Sequence, residues 1–331
     1  MTAPHTSNAG QGLPGRRSAR PGNRGPRRRG IRIVLAALVV VVLAVLADGA
    51  LITSRVDHLD VDLTRGAGGA DGSTWVLLGL DSRTDLPAGA DVAHFGTADD
   101  VPGTRADVVV VVHRSDHGTS VLSVPRDVLA VTPRGPERLA LSWLAGPQVT
   151  VGALCSLGIP TDHLVTVDLA GFAGVVDAAG GLDVDVPEPV RDEPAGLELT
   201  EGGRQHVDGV TALAMVRSRH PEHLVDRAWV PAPVDPDGRA TAAGTVLSAL
   251  VGQIRGAAVR PWRLQGTAWA ASGAVRVDPD TSVTELASLA RADLAAVQVL
   301  PVGEPLGTAI ARLPVRATSD AVRAAGMSCE H

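Results

Sequence analysis

Charged side chains stand where several apolar runs of this chain begin or end. They flank WVLLGL (75–80), DVVVVV (107–112) and SVLSV (120–124), and they are Asp81, Arg83, Arg105, Asp107, Arg126 and Asp127. If the runs are strands of one sheet, their ends lie where such sheets bind ligands. Aspartates bind hard divalent cations and arginines bind phosphate oxygens, so the pattern favours metal-assisted phosphate chemistry. Each pair alone is equally consistent with an ordinary surface ion pair.

Two more arginines stand at the end of a later helical stretch. The segment VRSRH contains Arg217 and Arg219, and Pro221 follows it. Residues two apart do not share a helix face, so both side chains reach one site only if the helix stops there. Proline ends helices, which predicts such a stop.

The composition limits the available chemistry. All 30 basic residues are arginine, which excludes a lysine Schiff base, a lysine general base and a Walker-type lysine. Arginine always carries its charge and contacts phosphate in a bidentate manner. Two cysteines, Cys155 and Cys329, are too few for a disulfide framework or a four-thiolate zinc site. The sequence leaves open whether they pair with each other.

The order of apolar segments predicts an α/β fold. Strands are expected at 75–80, 107–112, 120–124, 163–169, 182–186 and 296–300, and helices at 147–157, 170–179, 206–217, 239–258 and near 318–325. Valine-rich runs without strict alternation are typical of strands buried on both faces. We therefore expect a single α-β-α domain whose mixed central sheet is covered by helices on both faces. Residues 221–239 are expected to form an exposed loop, and Ser282 with Glu285 predicts a helix capping box.

The N-terminal region predicts a membrane anchor. Residues 1–32 hold eight arginines and no acid, whereas residues 33–331 hold 22 arginines and 36 acids, a net charge of −14. Residues 33–47 are uncharged, and the apolar stretch continues to Ile52 with only Asp48 interrupting it. This approaches the ~20 residues of a transmembrane helix. The arginines predict a cytoplasmic tail (1–32), a transmembrane signal anchor (33–53) and an exported remainder.

A cleaved secretory signal is the alternative for this segment. Its uncharged run fits the apolar region of a signal peptide, and Val45 and Ala47 suit a cleavage site. In both cases the rest of the chain lies outside the cytoplasm. There we expect a glycine-rich tether at 54–73 and one domain at 74–326, with a core at 74–258 and a C-terminal extension at 259–326.

Six segments together resemble a known family. They are GLDSR (79–83), TRADVVVVV (104–112), LSVPRDV (122–128), RLALSWLAG (138–146), VTVDLAGFAGVVDAAGGLDVDVP (165–187) and HVDGVTALAMVRSRH (206–220). Their order resembles that of the LytR-CpsA-Psr family, and of its actinobacterial members in particular. The resemblance is strong from Trp75 to Arg239 and fainter beyond.

The resemblance implies a ligase of the cell envelope that depends on Mg²⁺. Such a ligase transfers a glycopolymer from a polyprenyl-diphosphate carrier at the membrane to peptidoglycan, and the polyprenyl chain lies in an apolar tunnel. Asp81 and Asp107 match the metal-binding aspartates of the family. The arginines that bind the diphosphate are matched by Arg105, Arg126, Arg217, Arg219 and Arg239, and Arg138 stands where a lysine is common.

The chain departs from the family pattern in ways that bear on catalysis. Ala140 replaces an asparagine, and Ala242 and Ala243 replace an arginine and a glutamine, while the preceding acid is either Asp235 or Asp237. Three hypotheses follow: an active phosphotransferase, a catalytically weakened paralogue that binds polyprenyl phosphate and modulates envelope assembly, and a lipid pyrophosphatase. Nucleic-acid binding is disfavoured because the exported part is net acidic.

Overall fold

The computed structural model describes residues 26–64, 72–100, 102–233, 235, 237–257, 260–292, 294, 296–307 and 310–329, with only the backbone of 26–37. Most of the expected tail at 1–32 lies outside these residues. The chain divides into two compact units, residues 1–49 and 50–331. The first consists, where described, of most of helix α1 (Pro26–Arg55). Its stretch Leu38–Arg55 is long and apolar enough to cross a membrane.

The second unit contains the strands and the remaining helices. The strands are β1 (Asp57–His58), β2 (Ser73–Leu80), β3 (Ala106–Ser115), β4 (Gly118–Ser123), β5 (Leu129–Thr132), β6 (Gly135–Arg138), β7 (His163–Asp168), β8 (Leu182–Val186), β9 (Val190–Asp192), β10 (Leu197–Leu199), β11 (Gly203–Val207), β12 (Glu222–Val225), β13 (Ala228–Pro231), β14 (Val275–Val277) and β15 (Val297–Val299). The helices are α2 (Val92–Phe95), α3 (Leu139–Ser142), α4 (Pro147–Ser156), α5 (Leu169–Ala179), α6 (Gly209–Arg217), α7 (Gly238–Ala257), α8 (Pro261–Ala274), α9 (Val283–Leu289) and α10 (Arg316–Ala324).

A seven-stranded mixed sheet forms the centre of this unit, in the order β1-β14-β7-β2-β3-β4-β15. Successive side chains of a strand point to opposite faces, so one strand contributes to two cores. Val76 and Leu78 pack in a cluster with Leu154 of α4, whereas Trp75 packs on the other face with Val251 of α7. Both faces are therefore apolar and covered by helices. The expected fold class is confirmed.

Two expectations about small elements were wrong. Residues 206 and 207, at the start of the helix expected at 206–217, instead belong to β11, which pairs antiparallel with β8 in a separate two-stranded sheet. The helix begins after Asp208, whose carboxylate accepts a hydrogen bond from the Thr211 backbone N–H. The expected loop at 221–239 contains the hairpin β12–β13, whose turn at Asp226 and Arg227 has positive φ without a glycine to reveal it in the sequence.

The glycine-rich segment at 54–73 is not a free tether along its whole length. Val56 and Val61 are buried, and β1 pairs in parallel with β14 at the edge of the central sheet. The chain is therefore packed onto the domain directly after α1. The glycine-rich residues 65–71 lie outside the described residues.

A disulfide joins the two cysteines whose pairing the sequence left open. Cys155 lies in α4 and Cys329 follows α10, 174 residues later. The bond attaches the C-terminal segment to the helical layer on one face of the sheet. The capping box of α9 is also present, as Ser282 and Glu285 predicted.

The disulfide is expected to stabilise the domain, because closing a long loop removes conformational freedom from the unfolded chain. Replacing both cysteines (C155S and C329S) should cost about 3 kcal/mol. That cost corresponds to a Tm lower by roughly 6–12 °C. Thermal unfolding of the detergent-solubilised full chain measures it. Wild-type protein in reductant should match the double variant, and unchanged melting in both would show that the bond does not stabilise the fold.

Candidate active site

The topology of the central sheet brings the sequence-predicted charges to one edge. β3 runs antiparallel to β2 and to β4, so the ends of β2 and β4 lie beside the start of β3. Asp81 follows β2, Asp107 is the second residue of β3, and Arg126 follows β4. Helices α6 and α7 add Arg217 at a C-terminal end and Arg239 at an N-terminal end.

Asp107 is the centre of this group. Its Oδ1 accepts a hydrogen bond from Arg126 Nη1 (2.5 Å) and its Oδ2 accepts one from Arg239 Nη2 (3.1 Å). Arg219 Nη2 lies 3.9 Å from the same Oδ2. Burial opposes ionisation of Asp107, but Arg126 and Arg239 outweigh it, and the pKa of the carboxyl lies below its ordinary value. Asp107 is therefore ionised at neutral pH.

The second predicted aspartate is held separately. Arg83 donates from Nε and Nη2 to the two carboxylate oxygens of Asp81, at 3.3 and 3.0 Å. The backbone N–H of Asp81 donates to the carbonyl of Arg105. Arg138 does not contact Asp107 directly. It pairs with one oxygen of Asp127, and the other oxygen of Asp127 lies 3.6 Å from Arg126 Nε.

Several guanidinium groups at this edge keep unused donors. Among the described residues, Nε of Arg126, Nη1 of Arg217 and Nε of Arg239 are buried and make no hydrogen bond. Burial lowers the pKa of Arg217 and Arg239. Arginine nevertheless stays charged in proteins. Buried, charged donors without acceptors are costly unless a ligand satisfies them, and an anion is the ligand that does so.

An apolar cavity opens onto these charges. It has a volume of about 230 Å³, and its wall is formed by β2, β3, β7, α5, α6, α7 and the end of α8. Phe172, Val246 and Leu250 are among its lining residues, and Asp81, Asp107, Arg217 and Arg239 line it too. Its shape and lining fit a hydrocarbon chain attached to an anionic group.

Two polar cavities adjoin the apolar one. The first, of about 340 Å³, is lined by Asp81, Arg83, Asp107, Arg217, Arg219 and Arg239 together with residues around α2. The second, of about 310 Å³, is lined by Asp81, Arg105, Arg126, Arg138 and Arg219. All eight residues predicted from the sequence therefore line at least one of three adjoining cavities, and Asp81 lines all three.

Two residues that the sequence did not single out position this group. The buried Asp192 accepts hydrogen bonds from Ser218 Oγ and from the backbone N–H groups of Arg219 and His220. Burial opposes its ionisation, but these hydrogen bonds outweigh burial and its pKa lies below the ordinary value. Because the carboxylate captures this backbone, α6 ends at Arg217, and Arg217 and Arg219 both line one cavity.

The buried Arg312 ties the C-terminal extension to α7. Its Nη1 donates to Asp237, at the start of α7, and its Nε donates to the carbonyl of Gly303. It lines a small cavity with Arg126 and Arg239. Arg312 is therefore placed to hold the helix end that carries Arg239. Asp237, rather than Asp235, makes this ion pair.

Two of the three departures from the family pattern, Ala242 and Ala243, lie on α7, and the third, Ala140, lies in α3. Ala243 is buried and lines the apolar cavity, whereas Ala242 is half-buried and is not a lining residue. Ala140 lines the cavity that contains Arg105 and Arg138.

The donor set fits a magnesium ion only together with an anionic ligand. No group of three or more histidine, cysteine, aspartate or glutamate side chains in the described part of the chain could hold a metal. Asp81 and Asp107 nevertheless line the same two cavities. Mg²⁺ is commonly bound by one or two carboxylates plus substrate phosphates, and that is the arrangement these residues allow.

Comparison with known proteins gives a consistent result. The model of the LytR_cpsA_psr family matches residues 54–290. The LytR-Csp2A-Psr enzyme from Actinomyces oris is 35% identical, with a TM-score of 0.68 over 83% of this chain and 97% of that chain. This likeness extends over nearly the whole of that solved structure.

Two curated relatives match over shorter regions. The probable cell wall biosynthesis protein LcpB of Corynebacterium glutamicum is 29% identical over 210 residues, 60% of this chain and 50% of that protein. The polyisoprenyl-teichoic acid–peptidoglycan teichoic acid transferase TagV of Bacillus subtilis is 34% identical over 123 residues, 34% of this chain and 31% of that protein. The chain thus spans about half the length, or less, of these curated relatives.

The ion cluster predicts a large effect of neutralising its carboxylate. D107N removes the carboxylate that pairs with the largely buried Arg126 and Arg239 and should cost about 3–5 kcal/mol of stability. The matched control is D183N, whose ion pair with Arg204 is exposed (side chains 40% and 78% exposed) and should contribute little because water and salt screen it. Urea denaturation of both variants in detergent measures the difference.

The effect of D107N should also depend on pH. Since the pKa of Asp107 lies below its ordinary value of 3.8, its contribution is complete above that pH and is lost as the pH falls through the folded-state value. The gap between wild type and D107N should therefore close in acid. Equal destabilisation by D107N and D183N at neutral pH would contradict the central role of Asp107.

Proposed function

Because the chain belongs to the LytR_cpsA_psr family, we propose that it is a membrane-anchored phosphotransferase that moves a glycopolymer from a polyprenyl-diphosphate carrier to peptidoglycan. One observation carries the proposal: an apolar cavity leads directly to buried, charged guanidinium groups with unused donors. The polyprenyl chain would occupy the cavity, and the diphosphate would accept hydrogen bonds from the arginines. No other common metabolite combines a long hydrocarbon with a diphosphate and a sugar polymer.

The reaction is a displacement at phosphorus. A hydroxyl oxygen of peptidoglycan, the muramic acid 6-hydroxyl in the family, forms a bond to the glycan-linked phosphorus, and the bond from that phosphorus to the lipid phosphate oxygen breaks. Polyprenyl monophosphate leaves, and the proton of the hydroxyl passes to solvent or to a base. Enzymes of this kind act mainly by positioning groups and neutralising charge on oxygen.

The arginines are suited to stabilising that transition state. Asp107 fixes Arg126 and Arg239 on one side of the site, and Asp192 fixes the backbone that carries Arg219. Donors that are already oriented need no reorganisation as charge develops. Asp81 and Asp107 would hold Mg²⁺ with the diphosphate oxygens. When bound, the ion would supply Lewis-acid stabilisation of the leaving phosphate.

The proposed location is the cell membrane, with the N-terminus in the cytoplasm and the domain outside. The eight arginines in residues 1–32, before the apolar stretch, support this orientation through the positive-inside rule. The disulfide Cys155–Cys329 supports it as well, because disulfides persist in oxidising compartments outside the cytoplasm.

The charge of Arg126 and the planar, bidentate shape of its guanidinium group are expected to contribute separately to the transfer rate. R126A removes a charge-assisted phosphate contact of about 1.5–3 kcal/mol, so the transfer rate should fall roughly 10- to 150-fold. R126K should recover little because the bidentate fork is lost. Transfer from a polyprenyl-diphosphate glycopolymer to a peptidoglycan fragment is measured with the full-length protein, with Mg²⁺ present or chelated. R134A, which removes an exposed pair with Glu137, is the matched control.

The transfer assay tests the role of the metal, the contact made by Arg126 and the type of reaction. Loss of transfer on chelation and in D81N supports the metal role, whereas metal-independent transfer refutes it. An R126K variant as active as wild type refutes the bidentate contact between Arg126 and the phosphate. Release of the polymer into water without transfer to peptidoglycan would instead identify a lipid pyrophosphatase.

Ala242 and Ala243 support a second candidate, a weakened paralogue that binds polyprenyl phosphate and modulates envelope assembly. Alanine does not weaken a helix, so the loss of polar groups there should slow catalysis without unfolding the domain. The double substitution A242R and A243Q should raise turnover at least about tenfold, or 1.4 kcal/mol. T245R adds the same charge at an exposed position of α7 and is the control. No gain, or full activity of the unaltered protein, would exclude this candidate.

A further inference from the structure

Helix α8 presents two tryptophans to solvent that the proposed reaction does not use. Trp262 is 71% exposed and Trp269 is 42% exposed. They are seven residues apart and therefore lie on one face of the helix. Gly266 lies between them, and a Cβ at this position would meet no atom within 4 Å. Large exposed aromatic side chains in line on one face indicate a surface that contacts something else.

The charge around α8 differs from that of the rest of the exported chain. Residues 255–277 contain Arg255, Arg260, Arg263 and Arg276 and no acidic residue, although residues 33–331 carry a net charge of −14. Tryptophan beside basic residues is typical of helices that lie in the membrane–water interface. An acidic partner protein would also be attracted, so the position of α8 must decide between them.

The position of α8 is fixed by the end of the apolar helix α1. Arg55, the last residue of α1, lies with its Cζ 4.2 Å from the centre of the Trp269 ring. Its Nε donates a hydrogen bond to Ser272 Oγ, also on α8. The stretch able to cross a membrane ends at Arg55. A side chain in contact with Arg55 therefore lies next to the point where the chain leaves the bilayer.

The sheet topology places the candidate active site at the same edge of the central sheet as Arg55. β1 follows Arg55 directly and runs parallel to β14, which is antiparallel to β7, which is parallel to β2. β1 therefore begins at the edge where β2 ends, which is the edge that carries Asp81. Ala271, in the last turn of α8, and Val275, the first residue of β14, line the apolar cavity.

We propose that α8 lies in the outer surface of the bilayer, with Trp262 and Trp269 among the lipid head groups and the neighbouring arginines on anionic lipid phosphates. The helix would hold the charged edge of the sheet at the membrane surface, where the wall of the apolar cavity meets the lipid. The inference rests on the anchoring part of the proposed function and not on the transfer reaction.

The depth of single spin labels in a membrane tests this proposal. The full-length protein is reconstituted into phosphatidylglycerol vesicles, with a nitroxide attached at W262C or W269C, since the native cysteines are joined to each other. H117C, at an exposed position of the β3–β4 turn at the edge of the sheet opposite Asp81, is the matched control, and V42C reports on α1. Oxygen collects in lipid and a nickel chelate stays in water, so the ratio of the two collision rates measures depth.

We expect the oxygen-to-nickel ratio at positions 262 and 269 to be severalfold higher than at position 117. Equal ratios at the three positions would overturn the proposal. Low collision rates with both reagents would mean that protein covers the tryptophans, which overturns it too. A label at position 42 that stays in water would instead refute the anchoring on which the inference rests. Insertion at 42 with exposure at 262 and 269 would refute the inference alone.

Discussion

The structure depends on keeping several positive charges close together in a partly buried site. Arginines in such a site repel one another and lose hydration, so nearby carboxylates must neutralise their charge. Asp107 does so with one carboxylate that receives Arg126 and Arg239 on separate oxygens and has Arg219 nearby. The compensation is incomplete, because three buried guanidinium donors, on Arg126, Arg217 and Arg239, make no hydrogen bond among the described residues. An anionic ligand would satisfy the donors that remain unused.

Three further carboxylates near the site contact arginines or the backbone segments that carry them. Asp192 holds the backbone after α6, Asp237 holds Arg312 at the start of α7, and Asp127 holds Arg138. Each of these acids fixes the position of a segment, while the guanidinium groups face the cavities. The absence of lysine fits this arrangement, since a flexible ammonium group would not hold a planar fork in one direction.

The sequence predicted β2, β3, β4, β7 and β15 of the central sheet, because the long strands are apolar on both faces and leave a strong and local signal. It missed β1 and β14, which have two and three residues, and it grouped 182–186 with these strands, whereas β8 belongs to a separate sheet with β11. It also predicted which charges stand at strand ends, and the antiparallel register of β2, β3 and β4 then brings Asp81, Asp107 and Arg126 to one edge. It missed β12–β13, whose turn uses Asp226 and Arg227 instead of glycine. It missed Asp192 and Arg312 as well, because their partners are distant backbone groups and a distant acid that no spacing rule connects. The functional roles of the site residues remain predictions.

The disulfide divides the residues of the site by their order in the chain. Asp81, Asp107 and Arg126 precede Cys155, whereas Arg217, Arg219 and Arg239 lie inside the loop closed by Cys329. Arg83 and Arg126, which pair with these two carboxylates, therefore precede the loop, whereas Arg219 and Arg239 lie within it. If the domain is exported as proposed, the loop can close only after residue 329 has crossed the membrane. A chain that ended within α10 would lack Cys329 and could not form the bond that holds the C-terminal segment on α4.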